Sequence, residues 1–217
     1  MRPLNFGFSA DFPATILCLG SHSDDIEIGC GGTILRLSKE FPHARFAWCV
    51  FSGSGVRNSE ARNAADLFAG GKILGPPRLE NFQDGFMPFH GAEIKAVFED
   101  LKQTVSPDLV FTHNRKDAHQ DHRLLAELTW NTFRDHLILE YEIPKYDGDL
   151  GQPSAFVALD TEICEKKIEN LMAAFTSQRE KRWFQPDLFR SLMRLRGMEC
   201  NSPSGYAEAF YCHKLLF

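Results

Sequence analysis

The chain has 217 residues, of which 43% are hydrophobic and 24% are charged, and its formal net charge is -5 at pH 7. This length and composition predict a single globular domain over 1–217 with enough apolar residues for a full core. A mildly acidic chain without basic runs argues against a nucleic-acid partner, since such binding depends on Lys and Arg contacts with phosphates. No stretch approaches the roughly 18 consecutive apolar residues of a membrane span.

Short apolar runs alternate along the chain with segments of helical spacing. Strands are predicted at 14–20, 44–52, 108–113 and 136–143, with a weaker extended stretch at 72–82. Helices are predicted at 30–40, 57–70, 92–105, 120–134, 158–178 and 186–197. This β-α order predicts an α/β fold with a mainly parallel sheet and helices on both faces. The helical part at about 158–200 is expected to pack on that sheet.

The cysteines and the N-terminus favour a cytoplasmic location. Six Cys are widely spaced without a C-x-x-C pair, and several lie in strand-like apolar runs. This pattern predicts reduced, buried thiols rather than disulfides or a structural Cys-type zinc site. The first 20 residues lack the basic, apolar and small-residue regions of a signal peptide.

A first polar cluster, "GSHSDDIEIGCGGT" (20–33), directly follows the first predicted strand. In open parallel sheets, ligands bind beyond the carboxyl ends of the strands. A carboxylate and an imidazole three residues apart can both contact one metal ion, and the neighbouring carboxylate is then free to act as a base. A cation also offsets the repulsion between adjacent acids. Taken alone, the acids fit equally well as a cluster at the N-cap of a helix.

The glycines of the same segment suggest a dinucleotide-binding fingerprint, but two features argue against it. A polar tetrapeptide separates the strand from the glycines, and the second strand ends in "CVFSGSG" without an acidic residue for a ribose. We therefore expect Gly29, Gly31 and Gly32 to allow close packing between a helix and the sheet.

A second polar cluster, "THNRKDAHQDHR" (112–123), follows another predicted strand and so lies at the same sheet edge. His119 and His122 are spaced i, i+3 and project from one face of a helix start. Histidines mixed with Asp117 and Asp121 are typical of a metal site. His113, by contrast, is expected in a solvated polar loop. The two clusters together predict a zinc-type site.

Both clusters resemble signature motifs of the LmbE-like, or PIG-L, de-N-acetylase family. The first is similar to H-P-D-D-x-E-x-G-x-G-G-T and "HQDHR" is similar to H-P-D-H-R. "VRNSEARNAADLFAG" (56–70) and "YAEAF" (206–210) resemble further family elements, so the resemblance spans nearly the whole chain. It implies a Rossmann-like three-layer sandwich and a divalent metal, usually zinc, that serves to hydrolyse the N-acetyl group of an aminosugar.

The resemblance also implies roles for individual residues. His22, Asp25 and His122 match the metal ligands, with Zn2+ as the expected ion and Fe2+ as an alternative that such ligands accept. Asp24 matches the general base. His119 matches the histidine that stabilises the oxyanion or acts as an acid.

Further positions match the family less uniformly. Asp121 matches a residue that orients the catalytic histidine, and Arg57 and Asp84 fall where family members contact the sugar. Ser23 and Gln120 stand where the family motifs carry proline, so these loops lack the stiffness of a fixed φ. No ligand position is lost.

The expected function is a metal-dependent hydrolase that removes the N-acetyl group from an N-acetylglucosamine-type conjugate. The expected partner is that small molecule, and a homo-oligomer is left open. Two alternatives remain at this stage: an amidase of the same mechanism acting on a non-sugar or thiol-conjugate amide, and a non-catalytic, metal-bearing binding domain.

Overall fold

The computed structural model describes residues 6–8 and 11–216. The strands are β1 (Thr15–His22), β2 (Arg45–Ser52), β3 (Arg78–Leu79), β4 (Leu109–His113), β5 (Leu137–Tyr141), β6 (Ala155–Leu159) and β7 (Tyr206–Tyr211). The α-helices are α1 (Asp25–Glu40), α2 (Val56–Ala69), α3 (Gly91–Thr104), α4 (Gln120–Thr132), α5 (Thr161–Ala174) and α6 (Pro186–Glu199). None of the described helices combines the length and the apolar character needed to cross a membrane.

The seven strands form one sheet in the order β3-β2-β1-β4-β5-β7-β6. The strands from β3 to β5 pair in parallel, whereas β7 runs antiparallel to both β5 and β6. The predicted α/β class with a mainly parallel sheet is therefore confirmed. The central strands are almost entirely buried, as their continuous apolar runs predict for a sheet covered on both faces.

Helices cover the two faces of the sheet and create two separate cores. Successive side chains of a strand point to opposite faces, and accordingly Ile16 and Cys18 of β1 belong to one core while Leu17 and Leu19 belong to the other. The first core includes apolar residues of α1, α2, α5 and α6, and the second includes those of α3 and α4. These layers form the predicted three-layer sandwich.

Two predicted boundaries are wrong. The first helix begins at Asp25 rather than at residue 30, with a break at Cys30, so the polar motif lies partly inside α1. The helix predicted over 158–178 instead spans Thr161–Ala174, because residues 155–159 form β6 and pair with β7. That pairing joins segments about 50 residues apart, so local spacing does not indicate it. The extent of a single domain over 1–217 stays a prediction.

Candidate metal centre and active site

The two polar clusters meet at the carboxyl edge of the sheet, because the strands that precede them are neighbours. His22 is the last residue of β1, and β1 pairs in parallel with β4. His119 directly precedes α4 and His122 lies in its first turn. The sheet order therefore brings the predicted metal ligands together from segments about 100 residues apart.

The three predicted metal ligands present their donor atoms as a compact triangle. His22 Nδ1 lies 3.2 Å from Asp25 Oδ2 and 3.2 Å from His122 Nε2, and His122 Nε2 lies 3.5 Å from Asp25 Oδ2. All three side chains are buried. Tetrahedral sites with bonds of about 2.0–2.2 Å have ligand-to-ligand separations of about 3.3–3.6 Å. The donor set thus fits one divalent ion.

The carboxylate of Asp25 is the centre of this cluster. Its Oδ2 accepts a hydrogen bond from the backbone N–H of His22 at 2.6 Å and lies 3.2 Å from His113 Nε2. Burial alone would raise the pKa of Asp25, but the facing imidazoles of His122, His113 and His22 hold it well below its usual range. Asp25 is therefore ionised, as a metal ligand must be.

His113 is part of this cluster, so its assignment to a solvated loop is wrong. It is the last residue of β4 and has 0% exposure. Its Nε2 accepts the N–H of Ser21 at 3.0 Å, and its ring stacks on that of His122 with centroids 3.9 Å apart. Burial lowers the pKa of His113 to about 4. Its position directly after the apolar run "LVFT" is the signal that could have placed it at the sheet edge.

A second layer of contacts orients the ring of His122. Its Nδ1 lies 3.0 Å from Asp117 Oδ2, which also forms an ion pair with Lys145 Nζ at 3.0 Å. With Nδ1–H donating to Asp117, the Nε2 lone pair faces the donor triangle. Burial alone would raise the pKa of Asp117, but the hydrogen bond with His122 and the neighbouring charges of His122, His113 and Lys145 together lower it, so the carboxylate stays ionised. Sequence reasoning noticed Asp117 only as part of the cluster.

His22 is oriented in the same way by two carboxylates. Its Nε2 lies 3.0 Å from Asp84 Oδ1 and 3.3 Å from Asp121 Oδ2, which leaves Nδ1 for the triangle. The hydrogen bond with His22 lowers the pKa of Asp84 to about 2. Burial would lower the pKa of His22, but Asp25, Asp121 and Asp84 together raise it well above its ordinary value.

Asp24 lies beside the triangle with one oxygen free. Its Oδ1 accepts from Arg57 Nη2 at 3.2 Å, while the buried Oδ2 has no hydrogen-bond partner among the described residues. Asp24 occupies the N-cap of α1 without making a side-chain capping bond. The N-cap interpretation therefore does not account for this acid. Burial, followed by the neighbouring Asp25, raises the pKa of Asp24.

His119 and Asp121 are linked through the backbone. His119 Nδ1 accepts the N–H of Asp121 at 3.3 Å, so a neutral His119 carries its hydrogen on Nε2. Burial and His122 lower the pKa of His119. The Asp121 carboxylate accepts instead from Gly85 N at 2.7 Å and Met87 N at 3.1 Å, besides its contact with His22. Its predicted role in orienting His119 stays a prediction.

Arg57 and Asp84 lie at the open side of the cluster. Arg57 Nη1 is 3.7 Å from Asp84 Oδ2, and the Asp84 side chain is 57% exposed. Arg57 also contacts Asp24, so it links the two predicted sugar-binding residues to the predicted base. Their role toward a substrate stays a prediction.

The two positions without the family's proline make side-chain hydrogen bonds. Buried Ser23 donates its hydroxyl to the Ser52 carbonyl at 3.4 Å, and Gln120 Nε2 donates to the Gly85 carbonyl at 3.0 Å. These bonds connect the first motif to the end of β2 and the second motif to the loop at Gly85, which a proline side chain cannot do.

Comparisons with known proteins identify the family of this chain. Residues 17–133 match a sequence model of the PIG-L family, described as GlcNAc-PI de-N-acetylase. The uncharacterized deacetylase YaiS of Escherichia coli (strain K12) is 31% identical over 149 residues, which cover 63% of this chain and 77% of the relative.

Solved structures share the fold at low sequence identity. N,N'-diacetylchitobiose deacetylase from Pyrococcus horikoshii superimposes with a TM-score of 0.72 at 19% identity, covering 96% of this chain and 88% of that chain. GalB, the 4-carboxy-2-hydroxymuconate hydratase from Pseudomonas putida KT2440, has a TM-score of 0.70 at 16% identity, covering 94% and 98% of the two chains. The family match spans more than half of the chain, which therefore belongs to the PIG-L (LmbE-like) family of de-N-acetylases.

Proposed function

We propose that this chain is a zinc-dependent hydrolase that removes the N-acetyl group from an N-acetylglucosamine-type conjugate. The observation that carries the proposal is the donor triangle of His22, Asp25 and His122 with the free carboxylate oxygen of Asp24 beside it. The substrate class is supported by the family description and by the chitobiose substrate in the name of the Pyrococcus horikoshii structure.

In this proposal the two histidines and Asp25 hold the ion, and Fe2+ is an alternative to Zn2+ because His and carboxylate ligands accept both. When bound, such an ion supplies Lewis acidity, which acidifies water and polarises an amide carbonyl. Asp24 takes the proton from the attacking water and delivers it to the leaving amine. Arg57 helps to keep Asp24 ionised before the reaction, since its guanidinium lies 3.2 Å away.

His119 is assigned to the developing oxyanion. Because its Nδ1 accepts a backbone hydrogen bond, its Nε2–H is the donor that remains for the substrate. Loss of one oxyanion donor typically costs about 100- to 1000-fold in rate. Asp121 acts indirectly: its backbone N–H fixes the ring of His119, and its carboxylate holds His22.

Arg57 and Asp84 are assigned to sugar recognition. They lie at the accessible side of the cluster, with the Asp84 carboxylate largely exposed. A carboxylate accepts hydrogen bonds from sugar hydroxyls and a guanidinium donates to them, so the pair offers both functions.

The experiment is acetate release from a substrate panel, with protein stripped of metal by a chelator and then reloaded with Zn2+ or Fe2+. The panel contains N-acetylglucosamine conjugates, N-acetylated thiol conjugates and simple N-acetyl amides. We expect acetate and free amine in equal amounts from the sugar conjugates, and only after metal is restored.

Two outcomes would contradict the proposal. Acetate release from the thiol or simple amides alone would indicate an amidase of the same chemistry. Stoichiometric metal binding without acetate release from any compound would indicate a metal-bearing binding domain.

A further inference from the structure

Helix α1 is interrupted within the motif that carries the predicted base and metal ligand. Cys30 has φ -141° and ψ 16°, which are not helical values, and the break separates residues 25–29 from the rest of the helix. An isolated helical turn is unstable, since nucleation fixes several residues for one hydrogen bond. The short first part must therefore be held by contacts from other elements.

Glu208 of β7 binds the start of the second part of α1. Its Oε1 accepts from Gly32 N at 2.8 Å and its Oε2 accepts from Thr33 N at 2.6 Å. The N–H groups at a helix start lack intrahelical partners, and the helix dipole favours a negative charge there. Glu208 thus caps the second part of α1 with both carboxylate oxygens.

Lys167 of α5 binds the end of the first part. Its Nζ donates to the Ile28 carbonyl at 2.6 Å and to Glu208 Oε1 at 2.6 Å. In a continuous helix the Ile28 carbonyl would accept from Gly32 N, so this cation and this carboxylate replace the missing bond. The positive charge lies at a carbonyl end, which the helix dipole also favours.

The ion pair is connected through Ile28 to the turn that carries Asp24 and Asp25. The backbone N–H of Ile28 donates to the Asp24 carbonyl at 3.0 Å, while the carbonyl of Ile28 accepts from Lys167. A shift of Lys167 or Glu208 would therefore move the turn that carries Asp24 and Asp25.

The burial of this pair indicates a geometric role. The side chains of Lys167 and Glu208 are both 3% exposed. Buried ion pairs add little net stability, because their desolvation costs as much as their attraction returns. The absent side chain of Gly32 makes room for the pair, since a Cβ there would lie 3.0 Å from Glu208 Oε1.

We infer that Lys167 and Glu208 are positioning residues that set Asp24 and Asp25 at the correct distance from His122. This inference rests on the proposed function. It also gives a role to Glu208 of "YAEAF", a segment that resembles a family element but had no function assigned to it in the sequence analysis.

The test uses Lys167→Met, Glu208→Gln and the double variant. Lys167→Met is expected to fold, because Met fills a similar volume and Glu208 keeps its two N–H donors. The control is the double variant Glu142→Gln, Arg196→Met, which removes a buried ion pair of 2.7 Å between α6 and the residue after β5. Four quantities are measured: the Zn2+ dissociation constant by competition with a chromophoric chelator, kcat and KM at saturating Zn2+, and the urea midpoint.

For Lys167→Met and the double variant we expect zinc binding to weaken by about 10-fold or more, the magnitude typical of lost outer contacts at metal sites. We also expect kcat to fall by a similar factor while KM changes little, because the exposed sugar contacts remain. The control should keep zinc affinity and kcat, because its ion pair joins α6 to the residue after β5 and not to α1.

Variants that lose only stability, with zinc affinity and kcat per folded molecule as in the wild type, would overturn the inference. Failure of the proposed function is recognised separately, because it would appear in the wild-type chain as absent zinc binding or absent acetate release.

Discussion

Asp24 and Asp25 are adjacent in the chain, but their carboxylates have different surroundings. Asp25 Oδ2 faces nitrogen atoms of His22, His113 and His122, whereas Asp24 contacts Arg57 through one oxygen and its other oxygen has no partner in the described part of the chain. A carboxylate surrounded by imidazoles is placed to bind a metal together with them, and a carboxylate with an unpartnered buried oxygen can accept a proton on that oxygen. This difference separates the two proposed roles at the scale of single atoms.

The assignment of Asp24 as the base predicts the behaviour of Asp24→Asn. The amide keeps the size and the contact with Arg57 but cannot take a proton, so kcat should fall by about 100- to 10,000-fold. Zinc content should stay at one equivalent, because the donor triangle is intact. Acetate release and metal analysis on the same preparation check both parts. Turnover near the wild-type rate would exclude Asp24 as the base.

The assignment of His122 as a ligand predicts the opposite pattern for His122→Ala. Loss of a residue that contacts the metal from outside the donor set weakens metal binding by about 10- to 100-fold. Loss of one of the three protein donors should weaken zinc binding by more than this. Exposed His43→Ala is the matched control and should bind zinc normally. Equilibrium competition with a chelator measures both. Tight one-to-one zinc binding by His122→Ala would contradict the assignment.

The residues around the candidate site were predictable from sequence to different degrees. His22 and Asp25 lie three positions apart at a strand end, and the resemblance to family motifs named them together with His122. The contact between Asp117 and His122 was not predictable, because it depends on how the loop before α4 folds back. His113 was misjudged because polar neighbours follow it, although the strand itself carries it into the buried sheet edge.

At the scale of elements, α1 packs unusually close to its neighbours through the glycines of the motif. A Cβ at Gly29 would lie 2.2 Å from the ring of Tyr141 in β5, and one at Gly31 would lie 2.6 Å from Phe68 in α2. The expected close packing between helix and sheet is therefore confirmed at Gly29 and at Gly32, where a Cβ would lie 2.6 Å from Leu159 of β6, whereas Gly31 packs against another helix. The Tyr141 ring has no room to move, since it is fully buried and its hydroxyl donates to the Leu19 carbonyl at 2.6 Å.

This packing predicts that Gly29→Ala destabilises the fold. Overpacking against a fixed ring should lower the free energy of unfolding by about 1–3 kcal/mol. Gly91→Ala is the control, because a Cβ there meets nothing within 4 Å and Gly91 has helical angles at the start of α3. That control should gain about 0.4–1 kcal/mol. Urea unfolding of the two variants checks the difference, and equal stabilities would contradict the packing argument.

The elements themselves were largely predictable where the signal is local. Buried parallel strands such as β1 and β4 are short continuous apolar runs, and α3 ends shortly before a proline. For these strands and this helix, the local sequence therefore indicates where the element begins or ends. The break at Cys30 and the strand at 155–159 were not predictable. At the break, α1 is contacted by Lys167 and Glu208 from distant segments, and the strand forms by pairing with β7, so local spacing indicates neither.

At the scale of the whole molecule, the strand order determines which loops meet. Because β1 and β4 are neighbours at the centre of the sheet, the loops that follow them share one edge, and the two motifs form one cluster. The fold by itself does not determine the reaction, since the GalB hydratase has the same architecture. The candidate chemistry depends on the residues at this edge and not on the sheet.

A metal held by side chains from both halves of the sheet must also stabilise the whole chain. His22 ends β1, Asp25 begins α1 and His122 lies in α4, which follows β4, so the donor triangle forms only in the folded state. A ligand that binds only the folded state stabilises it by about 2.7 kcal/mol at a free concentration of 100 times its dissociation constant. We expect Zn2+ to raise the free energy of unfolding of the wild type by about this amount relative to chelator-treated protein.

The variants separate this linkage from catalysis. Asp24→Asn should gain as much stability from Zn2+ as the wild type although it turns over little substrate, whereas His122→Ala should gain almost none. Urea unfolding with Zn2+ and with chelator measures the gain for each protein. The slope of the unfolding free energy against urea concentration should be the same with and without Zn2+, because unfolding exposes the same surface. If Zn2+ stabilised His122→Ala as much as the wild type, the zinc would have to bind elsewhere in the chain. The free energy of unfolding rises with zinc binding at any site that exists only in the folded state.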